Sequence, residues 1–301
     1  MRIRSAATDR VRRAAHAGTF YPADPTVLAA QVDALLAAAR TRRSARAALP
    51  LGLLVPHAGT DWSGPVAARG WLELEPDPLT PGPPPTVVLL GTNHFARWSR
   101  GISAWSGGPW STPLGEVALD EALRDRILAL GDPFASRAEA HLDEHSIEVE
   151  LPFLARVRPD ARIVPLLVGP LDERELRVAG AALGRLLAGV LAAGDPVVLA
   201  ASSDLAHYPS QEVAEQVDAE SLAMIAALDA ERLARHEADV ESAAIAGLVC
   251  ALCGIEPALL CLAALTEMGA TAGSVLAHAT SADAPLGEPR RVVGYAAVRF
   301  D

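Results

Sequence analysis

Apolar residues fall along the chain in short unbroken runs, separated by longer stretches of helical spacing. Leu51–Val55, Val87–Leu90, Ile163–Val168 and Val197–Ala200 carry no polar alternation, which predicts strands buried on both faces of a parallel sheet. Val292–Phe300 predicts a final strand. Pro25–Ala39, Asp120–Leu130, Asp172–Ala193, Glu212–Leu228 and Pro257–Met268 repeat apolar residues at three- and four-residue intervals and predict helices. Strands alternating with helix-length segments pair in parallel through crossovers. The pattern therefore predicts an α/β fold, with a mostly parallel central sheet and helices on both faces. No linker is long or polar enough to divide it, so a single domain is expected over 16–301, behind a flexible N-terminal arm over 1–15.

Composition narrows the partners. The 26 Lys and Arg face 37 Asp and Glu, a net charge of −11, which argues against nucleic acid and against an anionic membrane surface. A small molecule or a protein is the expected partner. Cys250, Cys253 and Cys261 are the only cysteines and lie within twelve positions. Such clustering is unlike a disulfide framework and suggests a reducing, cytoplasmic compartment. The Arg-rich N-terminus lacks the apolar core of a secretory signal. The most apolar later stretch, 178–201, is broken by Arg185, Gly194, Asp195 and Pro196, short of the roughly 18 apolar residues of a membrane span.

Three of the predicted strands end alike. Leu51–Val55 runs into Pro56-His57-Ala58-Gly59, Val87–Leu90 into Gly91-Thr92-Asn93-His94, and Val197–Ala200 into Ser202-Ser203-Asp204, with His207 three residues on. Ligands of open α/β sheets bind outside the carboxyl ends of the strands, so these polar groups are expected to converge on one edge. A lone buried histidine is commonly a hydrogen-bonded core residue. Several at equivalent strand ends would most easily satisfy one another or a metal ion. Gly59, Gly64 and Gly91 are expected to let backbone approach a ligand closely.

Two further patterns bear on metals. His141, Glu144 and His145 spell H-x-x-E-H, in which two histidines on one helix face bind zinc and the glutamate polarises water. An acidic helix start produces the same letters, and Pro152 follows soon after. Cys250 and Cys253 form a C-x-x-C without the second pair that a zinc ribbon needs. Cys250 and Cys261, flanked by Leu, Val and Ala, are expected in the core. Cys253 precedes Gly254 and a helix expected to begin near Pro257, a place that favours thiolate.

The ordered motifs AGTFYP (17–22), PHAG (56–59), LGTNH (90–94), EHSIEVELPFL (144–154), IVPLLVG (163–169), SSDLAHY (202–208), CG (253–254) and VVGYAAV (292–298) resemble the Memo-like family, whose bacterial members are usually called AmmeMemoRadiSam system protein B. The resemblance runs from about Ala17 to Phe300. It implies an α/β domain related to the class III extradiol, LigB-type dioxygenases, with a pocket metal that is iron or copper. It implies His57, His94 and Cys253 as ligands, with Asp204 and His207 lining the same pocket. Thr60 stands where the family usually has an aromatic residue, and Phe95 where some relatives have a second histidine.

Two imidazoles and a thiolate make a soft ligand set with open positions, suited to iron, copper or zinc. His207, with Asp204 close by, is the expected general acid/base. Glu144 and His145 are expected to support the ligands from behind. The leading expectation is a metal-dependent redox enzyme acting on a small molecule. The others are a non-catalytic scaffold working with a radical-SAM protein partner, and a zinc-dependent hydrolase.

Overall fold

The four central apolar runs lie side by side. The computed structural model describes residues 11–43, 48–78 and 82–301. Its strands are β1 (Gly52–Val55), β2 (Thr86–Thr92), β3 (Ile102–Ala104), β4 (Trp110–Thr112), β5 (Gly115–Val117), β6 (Phe134–Ser136), β7 (Arg162–Val168), β8 (Val197–Ser202), β9 (Gly273–Thr280) and β10 (Gly294–Phe300). Its helices are α1 (Pro25–Arg40), α2 (Gly64–Trp71), α3 (Glu121–Leu128), α4 (Leu151–Val157), α5 (Glu173–Ala192), α6 (Gln211–Ala226), α7 (Ala230–Ser242) and α8 (Ile255–Met268). Eight strands form one sheet in the order β6-β3-β7-β2-β8-β1-β10-β9, and β4 and β5 form a separate hairpin. The central strands β7, β2, β8 and β1 are parallel. Antiparallel pairings flank them, β3 against β7 on one side and β10 against β1 on the other.

Both faces of the centre are buried, as runs without polar alternation require. Along β2, Val88 and Leu90 enter one core while Val87 and Leu89 enter the other. Helix α5 starts at a capping box between Asp172 and Glu175, which satisfies two otherwise orphaned backbone donors. Its buried stripe packs on α8, and no side chain fits between them. A Cβ at Gly184 would lie 2.2 Å from the Ala264 carbonyl, and one at Gly180 2.6 Å from that of Leu260. Helix α2 escapes a periodicity reading because its sequence, GPVAARGW, holds two glycines and a proline. The proline sits in the first turn, where it is tolerated. Gly70 lies against β1, where a Cβ would meet Val55 Cγ1 at 2.6 Å.

Residues 1–10 of the expected flexible arm lie outside the described residues. Its remaining part is tied down. Arg12 is buried, ion-paired with Glu148, and donates to the carbonyls of His141 and Glu144 at 2.9 and 2.6 Å. Its guanidinium also stacks 4.4 Å above the Trp110 ring. Among the described residues no helix is long and apolar enough to cross a membrane.

Candidate metal centre

The sheet register explains why distant residues meet. Val55 at the end of β1 pairs with Ser202 at the end of β8. His57 and Asp204, each two residues further, therefore emerge level. Asp204 Oδ1 accepts the backbone N–H of His57 at 2.7 Å and of Ala58 at 3.2 Å. On the other side of β8, β2 ends at Thr92, whose hydroxyl donates to the Ser202 carbonyl, and His94 follows two residues on. Cys253 arrives from the turn before α8. Its Sγ accepts the Asp204 backbone N–H at 3.3 Å and lies 3.2 Å from His57 Nε2.

The H-x-x-E-H segment delivers the remaining groups. Glu144 Oε2 accepts the backbone N–H of His94 at 2.7 Å, and Oε1 accepts His94 Nδ1–H at 2.9 Å. Oε1 also accepts the backbone N–H groups of His145 and Ser146, both at 2.9 Å. With Nδ1–H given to a carboxylate, His94 keeps a lone pair on Nε2. The His145 ring stacks on His94, and its Nδ1 is buried without a hydrogen-bond partner.

Two groups of side chains among the described residues converge closely enough to hold a metal ion. They are His57, His94 and His145, and His57, Asp204 and Cys253; within each, the ligand atoms lie within 4.8 Å of one another. His57 belongs to both. The expected set of His57, His94 and Cys253 is thus divided: His57 joins each of the other two, and no single group contains both His94 and Cys253. His145, expected behind the ligands, belongs to one of the two groups.

The electrostatics favour uncharged nitrogen donors. Burial, then the neighbouring His94, pushes the His57 imidazole down to about 3. Burial and the neighbouring His57 likewise push His145 down to about 3. Burial raises the Glu144 carboxyl, but the His94 hydrogen bond, the nearby imidazoles and the Ser146 N–H outweigh it and hold the carboxyl at about 2. Burial pushes Asp204 up, against His207 and the two backbone donors. Cys253 departs from expectation. Burial, then the charge of Asp204, pushes its thiol well above the usual range, outweighing its place before α8. Neutral imidazoles and a thiol needing a cation to ionise suit a bound metal.

Several other expectations change. His141 and His145 do not share a helix face, because turns and short 3₁₀ segments span 138–150. His141 is fully buried, lies beside Trp105 and Trp110, and engages the Ser103 carbonyl through Nε2 at 2.8 Å. No zincin site forms there, and Pro152 sits in the first turn of α4 rather than breaking a helix. Gly59, Gly64 and Gly91 admit protein, not ligand. Added Cβ atoms would meet the Phe20 carbonyl at 3.3 Å, Leu35 at 2.8 Å and Ile147 at 2.5 Å. Cys261 is in the core, whereas Cys250 is half-buried. Thr60 is turned away toward Gln31.

His207 stands beside the two groups. Its Nδ1–H is directed at the Leu205 carbonyl at 2.8 Å, which leaves the ring lone pair on Nε2. His16 and Phe20, not singled out from sequence, join Phe95 around His145, with ring centroids at 5.5, 4.3 and 5.9 Å. Behind His57, Ser202 Oγ lies 2.8 Å from Nδ1, and Glu150 lies beyond it. The signals were the repeated HAGT at 16–19 and the acidic spacing of EHSIEVE.

A family model described as "Memo-like protein" matches residues 12–299. A "MEMO1 family protein" from Aquifex aeolicus is 36% identical over 97% of this chain and 99% of its own length. Another from Methanopyrus kandleri is 33% identical over 96% and 98%. The solved structure of uncharacterized protein JW3007 from Escherichia coli K12 overlays with a TM-score of 0.49 at 18% identity, covering 83% of this chain and 99% of that one, a remote relationship.

Proposed function

The chain belongs to the Memo-like family, and from that premise we propose that it is a metal-binding protein using iron or copper for redox chemistry, of dioxygenase type, on a small molecule. The observation that carries this reading is the sharing of His57 between an all-imidazole group and a group with thiol and carboxylate. Such a mixed nitrogen and sulfur set suits redox-active iron or copper as well as zinc.

A bound ion would supply open coordination positions and electron transfer. The chain's own residues do the rest. Glu144 gathers four N–H groups and so fixes both the His94 ring and the turn that carries His145. Phe20, Phe95 and His16 pack around His145 and hold its ring in place. His207 Nε2 is placed to accept or return a proton at the pocket edge.

The test is metal content after anaerobic purification. Wild type should retain iron or copper, His57→Ala should lose it most completely, and His94→Ala and Cys253→Ser should each lose part. Equal, negligible metal in all four would refute the proposal.

A further inference from the structure

Behind His57 lies a buried polar cluster in which every hydrogen can be assigned. Ser202 Oγ is 2.6 Å from the Ser146 carbonyl, 2.8 Å from His57 Nδ1 and 3.1 Å from Glu150 Oε1. Glu150 Oε2 accepts the indole N–H of Trp71 at 2.6 Å. Ser202 and Glu150 are both fully buried, so water cannot supply a missing partner.

Ser202 has one hydroxyl hydrogen for three close neighbours. A carbonyl only accepts, and two bare oxygens 2.6 Å apart would repel, so this hydrogen points at Ser146. Toward His57 and Glu150 the hydroxyl oxygen must then accept. His57 therefore carries its hydrogen on Nδ1, and Glu150 carries one on Oε1. Burial independently favours the neutral acid, pushing Glu150 up to about 8. The cluster closes with no unpaired donor.

We propose that Ser202, backed by the carboxylic acid of Glu150, is a positioning residue that locks His57 in its Nδ1–H tautomer and presents the Nε2 lone pair to a metal. The inference rests on the metal-binding reading for its purpose, but the lock itself exists without metal. Ligating histidines commonly need such a partner on the second ring nitrogen, and its loss typically weakens metal binding by about 10–100-fold.

The test begins with metal-free wild type. Nitrogen-15 NMR of the imidazoles should place the His57 hydrogen on Nδ1. Infrared difference spectra against Glu150→Gln should show a protonated-carboxyl band that the variant lacks. Ser202→Ala should shift His57 toward the Nε2–H tautomer and weaken anaerobic Fe(II) binding by about 10–100-fold. Glu150→Gln should keep tautomer and affinity near wild type, because its amide oxygen accepts from Trp71 and its NH₂ donates to Ser202. A wild-type His57 protonated on Nε2 overturns the proposal even where Ser202→Ala fails to fold; so does Ser202→Ala with an unchanged tautomer. A wild type with hydrogen on Nδ1 that binds neither Fe(II) nor copper refutes the metal reading instead, leaving the lock standing.

Discussion

His94 and His145 stack with ring centroids 4.5 Å apart and planes 22° from parallel. Both turn Nδ1 toward the same Glu144 oxygen, at 2.9 and 3.3 Å. The pair is built to stay uncharged on the His145 side, chiefly because its ring is buried and then because His57 and, less strongly, the stacked His94 would face a cation there.

The first prediction concerns that pair. His145→Ala should lower metal occupancy as far as His94→Ala does, because both rings offer a ligand atom to the same group. Glu144→Gln should weaken binding by about 10–100-fold and destabilise the fold by roughly 1–3 kcal/mol, through loss of a charged acceptor for four N–H donors. Metal analysis and urea unfolding check both effects. Intact occupancy in His145→Ala would leave His145 a supporting residue only.

Gly91→Ala should be disproportionately costly. The added methyl would lie 2.5 Å from Ile147 Cγ1 and 2.7 Å from Ser146 Oγ, so the turn carrying Glu144 and His145 must shift. Overpacking of this kind costs typically about 1–3 kcal/mol, and metal occupancy should fall with it. Gly64→Ala faces only the end of the Leu35 side chain and should leave metal occupancy unchanged.

Without metal, Cys253 should resist alkylation near neutral pH. Burial holds its thiol protonated, and thiolate is the reactive form. Cys250, raised to about 12 by burial and then by Glu237, should be similarly slow. Mass spectrometry after iodoacetamide should find little labelling in the folded, metal-free protein and labelling of all three cysteines after unfolding. Rapid labelling of Cys253 at neutral pH would show that its thiol is not held protonated.

Glu150 gives a pH dependence of definite sign. Its folded value, about 8, exceeds the ordinary 4.5, so the native state binds the extra proton between these limits. Its contribution is fully present below about 4.5 and is lost as pH rises through about 8. Glu150→Gln does not titrate there. The stability of that variant relative to wild type should therefore increase from pH 5 to pH 8, with a slope of at most about 1.4 kcal/mol per pH unit. Paired denaturant titrations check it; a flat or falling difference would mean that Glu150 is ionised in the native state.

The parallel centre of the fold was legible because burial on both faces leaves strands without polar alternation. β3 and β6 are only three residues long, too short for any period to show. β9, an edge strand with Gly, Ser, His and Thr among its eight residues, carries little apolar signal and is defined by pairing with β10. Helix α7 is mostly polar, burying only Leu233, His236, Glu237 and Val240. At the site, His57, His94 and Asp204 were visible because strand ends converge in parallel sheets, and Cys253 because it precedes the glycine that opens a helix. The division of the candidate ligands into two groups sharing His57 was not, since it depends on side-chain direction. The neutral Cys253 thiol likewise depends on burial that no local sequence reports.

The Arg12 clamp has a consequence for how this pocket comes into being. Arg12 and Glu148 are 136 positions apart, and between them they anchor the turn that carries two of the imidazole-supporting groups. The central sheet requires closures longer still, since Gly52 on β1 pairs with Leu199 on β8, and such non-local contacts are rewarded only after their loop entropy is met. The candidate pocket is therefore expected to mature together with the sheet rather than ahead of it. A chain whose Arg12 has not yet docked would hold the Glu148 carboxylate without the cation that pairs with it in the finished fold.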